Sequence, residues 1–325
     1  MRPYTYAQAH SVREAVRDAK PGTAFLAGGT TLVDLMKLEV VSPDRVVDIN
    51  RLPLDGISLD HEGLHIGALE RMSDVAAAPA VRQRYPMVAQ ALELSASAQL
   101  RNMASIGGNL LQRTRCSYFR DVTTPCNKRE PGSGCSALEG INRSHAVLGT
   151  SDACIATHPS DLAVPLVALS TTVHLASARG TRTVPLETFY TLPGDTPDVE
   201  NVLRPNELIT GITVPRSPWA AHSLYLKIRD RQSYEFALTS AAVALQLRGR
   251  TIVNARIAAG GVGTRPWRLT AVERALTGRP ATSATFEAAV ASAADGARPR
   301  EHNRFKSVLL RRTLVRALTE LQENR

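Results

Sequence analysis

At 325 residues the chain is longer than one compact hydrophobic core usually serves, so two or three domains are expected. Its 43% hydrophobic and 21% charged residues are those of an ordinary globular protein, and no stretch reaches the apolar length of a membrane span. The formal charge of +9 comes without Lys/Arg runs interleaved with stacking aromatics, so no nucleic-acid partner is expected and most arginines read as a solvated surface.

The N-terminus, Met1-Arg2-Pro3-Tyr4-Thr5-Tyr6, has neither a hydrophobic stretch nor a twin arginine, and no membrane span is expected; left to itself the chain stays in the cytoplasm. Thr23–Ala27 reads as a strand, Gly28-Gly29-Thr30-Thr31 as a turn, and Leu32, Leu35, Met36 and Leu38 as a helix face. Glycine lets backbone approach a phosphate closely. The motif is neither GxGxxG nor GxxxxGK[ST], and alone it reads as a tight turn. Strands are expected at Val46–Asn50 and Gly63–Ala68. Helical pieces follow over 72–98, capped by Ser73 or Asp74 and restarted at Pro86. Ile106-Gly107-Gly108-Asn109 echoes the first glycine turn, and a pair of such turns suits the two phosphates of a dinucleotide.

From Gln112 to Cys154 periodicity disappears. This excursion holds all four cysteines, Cys116, Cys126, Cys135 and Cys154, with nine, eight and eighteen residues between them. Such a long loop is functional or disordered, and four cysteines argue for function. The spacing does not choose among a four-iron cluster, structural zinc, disulfides and unligated thiols; we rank them in that order. Arg113, Arg115, Arg120, Lys128 and Arg129 would offset the charge of four thiolates. The whole points to an organic cofactor beside an iron–sulfur centre.

Ser160 or Asp161 then caps an apolar helix over Leu162–Leu169, and an Asp here also suits a ribose or adenine edge. Strands are expected at Thr172–Ala176, Thr183–Pro185 and Glu207–Val214, and a linker at Pro215–Pro218. An antiparallel sheet follows from Leu224–Arg229, Thr239–Leu247 and Ile252–Ala259. Helices near 267–277, 283–294 and 304–322 close the chain. The last carries Arg304, Arg311, Arg312 and Arg316, a solvated face or a surface for an acidic subunit.

Four signatures carry a resemblance: Phe25-Leu26-Ala27-Gly28-Gly29-Thr30, Gly107-Gly108-Asn109-Leu110, Ser160-Asp161, and the cysteine block from Gln112 to Cys154. Over essentially its full length the chain resembles the FAD-binding (medium) subunit of the xanthine dehydrogenase family of molybdenum hydroxylases. More narrowly it is similar to the flavin subunit of bacterial three-subunit aldehyde oxidoreductases, including the periplasmic type. The cysteine insert is similar to that of the branch with an extra [4Fe-4S] cluster. The resemblance implies an α/β (α+β) fold, a two-subdomain PCMH-type FAD-binding domain followed by a C-terminal α/β domain with an antiparallel sheet. The units are 1–55, 56–215 with the insert at about 112–156, and 216–325.

It implies further that Leu26, Ala27, Gly28, Gly29, Thr30, Thr31 and Leu32, with Ser105, Gly108 and Asn109, hold the FAD pyrophosphate. Asp161 matches a contact to the nucleotide end of FAD, and Ile209 matches a hydrophobic residue on the last strand before the linker. Lys227 matches a residue near the flavin ring, where it would favour negative charge on the reduced ring, and Phe236 occupies a place that approaches that ring. No His adjoins the first loop, so FAD is expected to be non-covalent. Cys116, Cys126, Cys135 and Cys154 would ligate the [4Fe-4S] cluster. Gly108 and Cys116 are at most roughly 28 Å apart along the chain, so the cluster lies near the FAD.

The implied activity is oxidation of an aldehyde at a molybdenum cofactor on a large subunit, with no catalytic acid or base on this chain. Electrons would pass through two [2Fe-2S] clusters of a small subunit to the FAD and an external electron acceptor. Export to the periplasm would follow from a signal-bearing partner. Two other readings stay open: a self-sufficient flavin oxidoreductase of the same superfamily, and a zinc-stapled, non-enzymatic interaction module.

Overall fold

The computed structural model describes residues 1–323 and holds three sheets. The first is parallel, in the order β1-β3-β2, from β1 (Thr5–Gln8), β2 (Thr23–Leu26) and β3 (Arg45–Asp48). Sequence reading misses β1 because it is a short edge strand of polar and half-exposed residues, with only Ala7 and Gln8 partly covered. It also passes over Val12–Asp18, a helix announced by Ser11-x-x-Glu14. The Ser11 hydroxyl accepts the Glu14 N–H at 3.1 Å, and the Glu14 carboxylate accepts the His10 N–H at 2.8 Å.

The second sheet is antiparallel, in the order β4-β5-β8-β6-β7. It is formed by β4 (Ile57–Leu59), β5 (Gly63–Gly67), β6 (Thr172–Ser177), β7 (Gly180–Pro185) and β8 (Leu208–Pro215). Alternation sends Leu64, Ile66, Val173, Leu175, Ile212 and Val214 into one core with the helices over 72–93 and the helix Ala163–Ala168. Each fully buried side chain of this kind contributes about 1.5–3 kcal/mol.

The third sheet joins β9 (Ser223–Ile228), β10 (Thr239–Arg248), β11 (Thr251–Gly260) and the short β12 (Trp267–Arg268), all antiparallel. The C-terminal helix Phe305–Glu323 covers it with Leu310, Leu314, Leu318 and Leu321, a 3.6-residue stripe.

Several expected elements shift. The helical stretch over 72–98 is three helices, Met72–Ala77, Pro79–Arg84 and Pro86–Glu93, with prolines opening the last two. The expected cap is displaced: Arg71 is the N-cap, and Ser73 and Asp74 lie inside the first turn. Ala96, at φ 46°, breaks the run before a further helix, Ala98–Met103, capped by Ser97. The helix expected from 267 begins at Thr270, because Trp267 and Arg268 pair with Ala259 and Ala258. The apolar helix Ala163–Ala168 has Leu162 at its N-cap position in place of the expected Ser160 or Asp161, and Ser160, two residues earlier, accepts the Ala163 N–H at 3.0 Å.

Candidate functional site

The β2 strand ends at Leu26, and the chain turns through residues 27–31 into the short helix Leu32–Lys37. Gly29 takes φ 71°, open to glycine without strain. Gly28 lies so close to the Met103 carbonyl that a Cβ would overlap it. Met103 is fixed in turn by Arg71, whose guanidinium donates to its carbonyl at 2.6 Å and to Asn50 Oδ1 at 3.0 Å. The backbone N–H groups of Gly28, Gly29, Thr30, Thr31 and Leu32 donate to no protein acceptor among the described residues. Five adjacent unclaimed donors form a ready anion cradle.

The second glycine pair differs from its expected role. Ile106–Leu110 is a single helical turn capped by Ser105, and its N–H groups are already used. Ile106 donates to Glu70, Gly107 to Ala68, Gly108 to the Ser105 hydroxyl and Asn109 to the Ser105 carbonyl. The two glycine turns expected to act alike are therefore not equivalent: the first leaves its N–H groups unclaimed, and the second has its own already bonded within the protein. Asn109 Oδ1 is held by the Ser160 hydroxyl at 2.6 Å, and its amide nitrogen faces the Met72 thioether at 3.3 Å.

Two cavities meet at Thr30, Thr31 and Gly108. One, of about 240 Å³, is an apolar cleft lined by Phe25, Leu32, Leu35, Val41, Ile49 and Ile209. The other, of about 510 Å³, is bounded by Met72, Asn109, Asp161, Arg231, Tyr234 and Phe236. Ala27, Gly28, Gly29 and Ser105 line the apolar cleft. Leu26 lines neither cavity; its carbonyl accepts the Ile49 N–H.

Lys227 also lines neither cavity. Its buried ammonium donates to Asp161 Oδ2 at 2.7 Å and to the Leu94 carbonyl at 3.1 Å. Tyr225, two residues away on the same strand face, donates to Asp161 Oδ1 at 2.7 Å. Burial first, and the Asp161 charge next, hold the Tyr225 phenol well above its ordinary value. Lys227 and Asp161 therefore occupy one place in the fold, and of the two only Asp161 lines the larger cavity.

The cysteine insert is ordered by the basic residues within it. Arg115 and Arg120 pair with Asp34 at 3.1 and 2.5 Å, and Arg113 and Lys128 with Glu200 at 2.6 and 3.0 Å. Arg129 donates to the carbonyls of Tyr118, Phe119 and Thr124. These cations, expected to offset thiolate charge, also tie the insert to its neighbours, while the Lys128 charge acts on Cys154 and favours its thiolate. Cys126 and Cys135 face each other across an isolated antiparallel bridge, and all four cysteines are free. Burial pushes the Cys116 thiol up to about 12, with neighbouring Cys126 and Cys154 adding to the rise. Cys154 is pushed up to about 11, again by burial, while Lys128 opposes and Cys135 and Cys126 add. The four sulfurs thus share one neighbourhood. Among the described residues no three His, Cys, Asp or Glu side chains converge on a single ion.

Sequence reading missed Tyr225, Asp34, Met72 and Ser95, whose hydroxyl donates to Asp161 Oδ2 at 3.3 Å. Only Tyr225 carried a signal, the i, i+2 alternation that places it beside Lys227. It also missed His158, which stacks edge-on against Tyr190 at 4.4 Å. Burial, then the Lys128 charge, lowers His158 to about 3. Its folded pKa lies below the unfolded value, so protons bind the unfolded chain first and stability falls as pH drops from about 6.5 to about 3. Thermal melts of His158→Gln are expected to show a shallower decline in this window, by about 1 kcal/mol per pH unit.

Comparison with known proteins places these features. Residues 1–217 match the family described as FAD binding domain in molybdopterin dehydrogenase, and residues 224–321 the CO dehydrogenase flavoprotein C-terminal domain. The chain is 47% identical to the aldehyde oxidoreductase FAD-binding subunit PaoB of Escherichia coli (strain K12), covering 98% of each. It is 28% identical to the glyceraldehyde dehydrogenase medium chain of Sulfolobus acidocaldarius, covering 97% of this chain and 95% of that one. Among solved structures it resembles carbon monoxide dehydrogenase from Hydrogenophaga pseudoflava, in a form lacking the Mo-pyranopterin moiety. That likeness has a TM-score of 0.76 and 26% identity, covering 98% and 97% of the two chains. No helix among the described residues is long and apolar enough to cross a membrane. Glycine cradle, paired cavities and both domain matches together establish that the chain belongs to the FAD-binding medium subunits of the molybdopterin dehydrogenases, the xanthine dehydrogenase family.

Proposed function

We propose that this chain is the FAD- and [4Fe-4S]-carrying electron-transfer subunit of a heterotrimeric molybdenum hydroxylase that oxidises aldehydes to carboxylic acids. The observation that carries the reading is the row of five unclaimed N–H groups between two cavities. It suits a pyrophosphate, with adenosine in the apolar cleft and the flavin in the larger cavity. Phe236 lines that larger cavity and Asp161 lies at its wall. Asp161 then serves the flavin end, and Ile209 the adenosine end. When bound, FAD and the cluster would supply the redox chemistry between the small subunit's two [2Fe-2S] clusters and an external acceptor, while the glycine loop, Asp161 and Ile209 would hold the FAD.

The four cysteines suit a four-thiolate centre: Cys126 and Cys135 face each other across a bridge, and Cys116 and Cys154 each lie near Cys126. Cys116, Cys126, Cys135 and Cys154 would hold the cluster, and burial makes the free thiols of Cys116 and Cys154 weak acids that metal ligation would deprotonate. The aldehyde substrate rests on the similarity to PaoB. In this reading the compartment follows a signal-bearing partner, with export of the assembled complex.

Turnover of aldehydes tests the proposal. The isolated chain, loaded with FAD, is expected to show none, and activity is expected to return with the large and small subunits. Aldehyde oxidation by the chain alone, without molybdenum, would support a self-sufficient flavin enzyme instead. Cys126→Ser is expected to lose most of its iron while keeping FAD, read by iron assay and flavin absorbance. A colourless chain holding zinc and no flavin would favour the interaction module.

A further inference from the structure

His145 occupies an unusual position in the insert. Its ring is buried, with Nε2 3.1 Å from Cys116 Sγ and Nδ1 without a partner among the described residues. The backbone around it is clamped by the start of the C-terminal helix. Lys306, fully buried, donates to the carbonyls of Ser144 at 2.8 Å and Gly261 at 2.6 Å. Asn303 donates to the His145 and Ala146 carbonyls at 3.4 and 3.2 Å, and the His302 N–H donates to Asn142 Oδ1 at 3.0 Å. Asn142, Asn303 and Lys306 are all buried, so the ring is aimed at Cys116 by polar bonds that cannot be exchanged for water.

Ligation of iron removes the thiol proton, which leaves Cys116 an acceptor only. The contact at 3.1 Å then survives only if Nε2 carries hydrogen. The neutral Nε2–H tautomer and the doubly protonated ring both satisfy this. The Nδ1–H tautomer would set a lone pair against a thiolate. We propose that His145 donates a hydrogen bond to the Cys116 thiolate and thereby raises the reduction potential of the cluster, as a positioning residue outside the ligand set. The inference rests on the cluster reading given above. One-electron reduction adds a negative charge to the iron–thiolate unit with no proton transferred, and a donor at sulfur stabilises that charge.

The test is an EPR-monitored redox titration of the cluster in the assembled complex, comparing wild type, His145→Phe and His145→Gln, with iron and acid-labile sulfide measured on each sample. His145→Phe keeps bulk and removes the donor. Its reduction equilibrium is expected to fall about tenfold, or about 59 mV for one electron, with iron retained and the FAD potential unchanged. His145→Gln, which keeps an N–H, is expected to restore part of the shift. Retained iron with an unchanged potential in His145→Phe would overturn the inference. Should that variant lose its iron, the wild-type complex labelled with ¹⁵N-histidine decides. A histidine nitrogen coupled to the reduced cluster by HYSCORE supports the donor, and no coupled nitrogen overturns it. Wild-type complex without iron in this subunit would instead sink the cluster reading itself, an outcome distinct from a failed shift.

Discussion

Gly28→Ala is expected to leave the chain with about a tenth or less of its FAD. The new Cβ would overlap the Met103 carbonyl oxygen, which is backbone held by Arg71, itself braced on Asn50, and cannot rotate away. The first loop must therefore move, and its five free N–H groups move with it. A loss of about 1.4 kcal/mol in cofactor binding already means tenfold. Two other glycines give a graded control. Gly29→Ala strains a residue at φ 71°, by about 1 kcal/mol, and sets its Cβ 3.1 Å from the Val33 and 3.2 Å from the Leu26 side chain, both of which can shift. Gly108→Ala meets the Ser105 hydroxyl at 2.9 Å, a side chain that can turn aside for about the value of a lost helix cap, near 1 kcal/mol. Flavin released by acid from each purified variant measures the order, with Gly28→Ala lowest.

A comparably large effect is expected on stability. Asp161→Ala strands the Lys227 ammonium, buried with only the Leu94 carbonyl left, and removes the acceptor of the Tyr225 hydroxyl. Breaking one side of a buried pair costs about 3–5 kcal/mol. The double variant Asp161→Ala/Lys227→Met removes both charges and is expected to be more stable than Asp161→Ala alone. Chemical denaturation of the three proteins gives the comparison. Equal stability of Asp161→Ala and wild type would show that the pair contributes nothing to folding.

The helices and long strands are legible in the sequence because their apolar residues recur at regular intervals. Val243, Leu245, Ile257 and Ala259 read as strand positions and are buried as such. Where partners alone define an element, the sequence is silent: β1 exists because its polar edge finds β3. The glycine loop at residues 28–31 is legible as a close-approach turn. The Gly107-Gly108 pair has the same local pattern, yet Ser105 turns it into a helix start, and nothing in the two glycines themselves tells the cases apart. The identity of the cysteines is plain from the chain, but not that Asp34 and Glu200, 82 and 46 residues from Cys116 and Cys154, claim the arginines and lysine beside them. Long-range pairing of this kind is set by the fold and leaves no local pattern.

FAD between the two cavities and an iron–sulfur cluster on the four cysteines beside it can be tested on one sample. The measurement is the absorption spectrum of the anaerobically purified chain, with flavin, iron and acid-labile sulfide quantified together. Equimolar FAD and about four irons with matching sulfide per chain are expected. Flavin without iron would contradict the cluster and return Cys116, Cys126, Cys135 and Cys154 to zinc or disulfides.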